Sequence, residues 1–194
     1  MITFGTPKHH WNYFLAIEKD LENMSRYIEF SNANLGTYSI ELTHILLSAS
    51  SEVDVIMKQL CSLIDSSQTT NNINDYKNII QTQLQGFINE EICFDRFGLS
   101  YKPWDNWNGT QNPNWWRSYN NVKHQRNNHF NEANLQNTIN AVGALLLTVV
   151  YYYKFAFSNE AGHTIDFRET TRQLQPEASF MRINADYYYH HLIV

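Results

Sequence analysis

An arginine and a histidine, Arg117 and His124, stand seven residues apart in the segment WWRSYNNVKHQR. An α-helix turns by about 100° per residue, so such positions return to nearly the same face. With Arg117 as reference, Asn121, His124 and Asn128 project within roughly 40° of it, while Trp115, Tyr119 and Val122 point the other way. A guanidinium grips phosphate oxygens as a fork, and an imidazole titrates near neutral pH as a general acid or base. Amides such as Asn120, Asn121 and Asn128 hold a sugar or phosphate by hydrogen bonds, and Lys123 adds positive charge. Arg117 and His124 are therefore the candidate catalytic pair, and Asn120, Asn121, Lys123 and Asn128 the candidate substrate-binding residues. The set suits attack by a ribose 2′-hydroxyl on its own phosphodiester, which requires neither metal nor cofactor. An ordinary solvated helix carries the same residue types, and spacing alone favours that plainer reading.

Charge distribution adds a little. The chain carries a net charge of −5, which argues against a general nucleic-acid coat, so any phosphate site must be local. The stretch between Asp105 and Glu132 is free of acids, and Lys102, Arg117, Lys123 and Arg126 lie in or beside it with His124 and His129. Other chemistries lose support. His9, His10 and His129 lack partners four residues away that would make a zinc face, and there is no H-E-x-x-H, glycine-rich phosphate loop or G-x-S-x-G. His190 and His191 follow three tyrosines and receive no role. Cys61 and Cys93 sit far apart in apolar contexts, as free thiols do in a reducing compartment.

The elements that must position these residues read as helices. With 43% hydrophobic and 17% charged residues over 194 positions, the expectation is one ordered domain spanning the whole chain. Pro7 suits a first helical position, and Trp11, Phe14, Leu15, Leu21, Met24 and Ile28 recur at helical spacing. Thr37 or Ser39 can cap a long second helix over residues 39–64, and Asn74 or Asp75 a third, DYKNIIQTQLQGF. Gly98, Pro103, Gly109 and Pro113 mark a long ordered loop over 95–114. The fourth helix is WWRSYNNVKHQRNN and the fifth EANLQNTINAVGALLLTVVYYYKFAF. A membrane span needs about twenty apolar residues, whereas Asn140 and Lys154 bracket a shorter run, so the fifth is expected to be a buried helix and the chain to have no membrane anchor. The N-terminal stretch lacks a charged segment followed by an apolar one and reads as mature cytoplasmic sequence. ASFMRINADYYYHHLIV suits either a short strand or a docking helix. The expected fold is all-α, an antiparallel helical bundle of about five main helices.

One pairing follows from misplaced charges. Glu52 falls on the stripe of Ile45, Ala49, Ile56 and Leu63, and Arg126 falls by angle between Tyr119 and Val122. A carboxylate on an apolar stripe needs a partner. Glu52 and Arg126 are expected to meet as a buried structural ion pair.

The segment WWRSYNNVKHQR, a polar turn and the apolar helix EANLQNTINAVGALLL together resemble the HEPN superfamily of bacterial defence and toxin proteins. That family carries an arginine and, four to six residues later, a histidine on one helix of a small bundle. The six residues between Arg117 and His124 fall at the long end of that range. Many members are metal-independent ribonucleases with a site shared across a homodimer. The resemblance covers residues 113–155 and implies an endoribonuclease acting in toxin–antitoxin or anti-phage defence, with Arg117 and His124 catalytic, RNA as substrate, and an antitoxin or other protein as a possible partner. Ser118 departs from the Asn, Asp or His that active members often place after the arginine, and Asn120 or Asn121 is the alternative source of that amide. A non-catalytic helical module, binding a protein, nucleotide or RNA through the same face, is the competing expectation.

Overall fold

The computed structural model describes residues 7–189, so His190 and His191 lie outside the described residues. Helix α1 (His9–Met24) buries Trp11, Phe14, Ile17, Leu21 and Met24 along one stripe; Pro7 stands before its cap rather than inside it. Helix α2 (Ile40–Ile64) begins at Ser39, whose hydroxyl accepts from the Leu42 N–H at 3.1 Å. Helix α3 (Ile73–Gln83) is capped two or three residues earlier than expected, by Asn72 rather than Asn74 or Asp75. The chain breaks at Leu84 into a short α4 (Gln85–Asn89).

The segment read as a loop contains one strand, and another lies just before it. β1 (Ile92–Phe94) and β2 (Leu99–Tyr101) form an antiparallel hairpin, turned by a 3₁₀ segment (Asp95–Phe97) and by Gly98 at φ +61°, a conformation that favours glycine. β3 (Arg182–Ile183) completes the sheet on the far side of β1, so the C-terminal region adds both a strand and a following 3₁₀ turn (Asp186–Tyr189). The fold is therefore mainly helical with a small sheet, not all-α. Strands of two or three residues are too short to show alternation, and β3 pairs with a segment about ninety residues away.

Helix α5 (Asn114–His129) carries the candidate site, α6 (Leu135–Ala161) is the long apolar helix, and α7 (Phe167–Gln173) follows it. α6 has the length and hydropathy to cross a membrane, yet 72% of its most apolar window is buried inside the fold. It packs along α2 as the central pair, with α1 against both. The pair is parallel. Leu135 and Gln136, at the start of α6, donate backbone bonds to Thr37 and Leu35 just before α2, and the Thr138 hydroxyl reaches the Leu42 carbonyl at 3.3 Å. α1 runs the opposite way, its early residue His10 meeting both Glu52 of α2 and Tyr152 of α6. The antiparallel expectation thus holds for α1 on α2 and fails for the central pair. Short connections force neighbouring helices to reverse, but some seventy residues separate α2 from α6, enough for the chain to return to the end it left.

Two contacts lock the sheet to the bundle. Glu18, buried on α1, accepts from the backbone N–H groups of Ser179, Phe180 and Met181 at 3.2, 2.9 and 3.1 Å, pinning the approach to β3. Gly143 lets the sheet approach α6, since a Cβ there would lie 3.3 Å from both Ile92 and Pro103.

Candidate functional site

α5 is held by its apolar side. Trp115, Trp116, Tyr119 and Val122 are buried, and the Trp115 indole N–H donates to the Pro103 carbonyl at 2.8 Å. This anchoring turns Arg117 and His124 outward, and both are exposed. His124 has no hydrogen-bond or ion-pair partner among the described residues, and Arg117 makes one long bond, Nη2 to Asn114 Oδ1 at 3.4 Å. Their α-carbons are about 10 Å apart along the helix axis.

Helical geometry stops at Gln125, whose backbone (φ −139°, ψ 47°) kinks α5. Angles of 100° per residue therefore do not carry past His124. Asn128 lies beyond the kink, exposed and unbonded among the described residues, and does not share the Arg117 face by helical phase. Arg126 is displaced for the same reason: it is exposed, not buried. The expected Glu52–Arg126 ion pair is not made. Glu52 instead bonds His10 across α1 and α2, Oε1 to Nδ1 at 2.6 Å, and the His10 ring meets Tyr152 edge-on. The carboxylate did need a partner; it found one on the antiparallel neighbour.

The remaining polar residues of α5 are engaged locally. Asn120 donates to the Trp116 carbonyl at 2.9 Å, and Lys123 donates to the Tyr119 hydroxyl at 3.1 Å while lying over its ring. Asn121 donates to both Glu132 oxygens, at 3.2 and 3.0 Å. His129 places Nδ1 2.7 Å from the same carboxylate. Ser118, buried, faces α6, where the Asn137 amide donates to its hydroxyl at 3.0 Å. Glu132 is thus a hub that joins the two sides of the kink. Burial pushes its carboxyl upward, but hydrogen bonds from Asn121, His129 and Ser118 outweigh that and hold it below the usual glutamate range.

Residue-by-residue phase missed this hub, although the His129–Glu132 pair stands at the i, i+3 spacing at which helical side chains meet. Of the cations expected to form a patch, Lys102, Arg117, Lys123 and Arg126 are all exposed, with Glu132 offsetting part of their field. Both cysteines are buried, and burial raises each thiol, Cys61 to about 12, so neither is an activated nucleophile. Among the described residues no three His, Cys, Asp or Glu side chains gather in a metal-binding arrangement. Set against known proteins, the chain matches no family model, no curated sequence and no solved structure.

Proposed function

We propose that this protein is a HEPN-like, metal-independent endoribonuclease in which Arg117 holds the scissile phosphate and His124 transfers the proton. The reading is carried by one observation: on the straight part of α5, Arg117 and His124 alone keep their charged or titratable ends turned to solvent and nearly unengaged, while their neighbours are bonded within the fold. His124 takes the proton from the ribose 2′-hydroxyl as its oxygen attacks phosphorus, the bond from phosphorus to the 5′-oxygen breaks, and a 2′,3′-cyclic phosphate and a 5′-hydroxyl result. Arg117 balances the charge that develops on the phosphorane oxygens. The departing 5′-oxygen needs a proton as well. One chain offers a single unengaged imidazole on this face, because His129 is tied to Glu132, so a homodimer that brings a second His124 to the same groove supplies the acid. The setting we propose is cytoplasmic, with an antitoxin or other protein as regulator.

A second reading has its own support. Glu132 places a carboxylate against Asn121 within the proposed site, which weakens the positive field and occupies an amide expected to hold substrate. Those features suit a non-catalytic module that binds a protein, nucleotide or RNA. Incubating wild-type, Arg117→Ala and His124→Ala protein with total RNA in EDTA separates the two. Cleavage that leaves cyclic phosphate ends and is lost in both variants supports the nuclease. Equal cleavage by His124→Ala protein, or none by wild type, removes it.

A further inference from the structure

A cleft of about 280 Å³ opens beside Arg117, between the loop after β2 and the first turns of α5 and α6. Tyr101 lines it from the end of β2, Lys102 and Asn106 from the loop, Asn114 from α5, and Asn137 and Asn140 from α6. We infer that this cleft binds a single ribonucleotide, its base and ribose among the amides and its phosphate toward Arg117.

The lining is chemically specific. Carboxamides present an acceptor and donors side by side, the pattern that base edges and ribose hydroxyls complement. Several of these groups keep capacity for a ligand. Asn137 uses its amide nitrogen on Ser118 and the Glu132 carbonyl, and Asn140 uses its own on the Gln136 carbonyl, so both retain side-chain oxygens. Asn114 receives Arg117 on its oxygen and retains its amide nitrogen.

Charge sets the orientation. The Arg117–Asn114 bond places the guanidinium at the rim on the α5 side, and Lys102 adds a second cation from the loop. A neutral sugar would gain nothing from either. Asp105 also lines the cleft, and its carboxylate repels phosphate while accepting from an exocyclic amino group or a ribose hydroxyl. The phosphate therefore faces Arg117 and the nucleoside faces the loop. The volume lies just under the range of about 300–1,000 Å³ for drug-sized ligand sites, which fits one nucleotide rather than a duplex. Only the further step, that this nucleotide flanks the bond being cut, rests on the nuclease reading.

The test is titration of the full chain with CMP, UMP, AMP and GMP by calorimetry and by side-chain amide NMR, with inorganic phosphate and glucose as separate probes. At least one mononucleotide is expected to bind with Kd below about 1 mM and to shift Asn and Gln side-chain amide resonances. Asn106→Ala and Asn140→Ala, each checked for an unchanged unfolding midpoint, are expected to weaken it by about tenfold or more, the loss of one good bidentate contact. Asn140→Asp serves if the alanine variant unfolds. No mononucleotide binding, equal binding by these variants, or binding of phosphate or glucose as tight as that of the nucleotide overturns the proposal. Mononucleotide binding without RNA cleavage leaves the subsite standing and sinks the nuclease; cleavage without such binding does the reverse.

Discussion

Glu132→Ala tests whether the hub beneath α5 holds the kink in place. The substitution removes a carboxylate that accepts from Asn121, at 3.2 and 3.0 Å, and sits 2.7 Å from His129, with Ser118 as a third partner; the bond from the Asn137 side-chain amide to the residue 132 carbonyl survives. A hydrogen bond contributes about 0.5–1.5 kcal/mol net, and the Glu132 side chain is 28% exposed, which places each of the three toward the lower end. The expected loss is about 2 kcal/mol, equivalent to a fall of about 4–8 °C in unfolding midpoint for a chain of this size. Glu132→Gln, which keeps an acceptor but no charge, should fall between the two. The pH dependence follows from the direction of the carboxyl shift. A carboxyl held below its ordinary range contributes stability that is fully present above the unfolded value and is lost as pH falls through the folded one, so the gap between wild type and Glu132→Ala should close in acid. Thermal and urea unfolding at pH 7 and pH 3 measure both quantities. Equal midpoints at pH 7, or a gap undiminished at pH 3, would refute the assignment of Glu132 as an ionised anchor.

Glu18→Ala leaves three backbone N–H groups without an acceptor, two of them in fully buried bonds, and should destabilise the protein by about 3 kcal/mol in urea unfolding. Because burial raises the Glu18 carboxyl despite those donors, its proton is favoured in the fold; wild type should lose stability relative to Glu18→Gln as pH rises from the ordinary glutamate range to 7, and a constant difference would contradict this. Arg126→Ala should change the unfolding midpoint by less than the equivalent of about 0.5 kcal/mol, whereas Glu52→Ala should cost about 1–2 kcal/mol through loss of the His10 bond; equal effects would revive the discarded pairing. Gly143→Val forces a branched side chain against Ile92 and Pro103 at a site already tight for a Cβ, and should lower stability by about 1–3 kcal/mol in the same assay.

The periodicity of apolar residues was enough to locate α1, α2, α3, α5 and α6, and of the two expected caps of α2, Thr37 and Ser39, the second is the one used, because burial of one helical stripe and satisfaction of the first free N–H groups are local requirements. The outward placement of Arg117 and His124 was legible for the same reason, since seven residues of regular helix preserve phase. What lay beyond local phase was not. The kink at Gln125 cancels the bookkeeping that paired Arg126 with Glu52, and nothing within α5 signals it. That Glu52 needs a partner is a matter of one residue and its stripe; that the partner is His10 depends on α1 packing antiparallel to α2. The three-stranded sheet and the Glu18 bonds that pin it join segments about ninety and one hundred and sixty residues apart, and short strands carry no period to read. The cleft beside Arg117 belongs to this second class. Its amides are scattered from Asn106 to Asn140 and become a site only where the loop and the starts of two helices converge. Sequence by itself determined which residues want water and which want burial; tertiary structure decided which of them meet, because partners distant along the chain are set by how the helices pack.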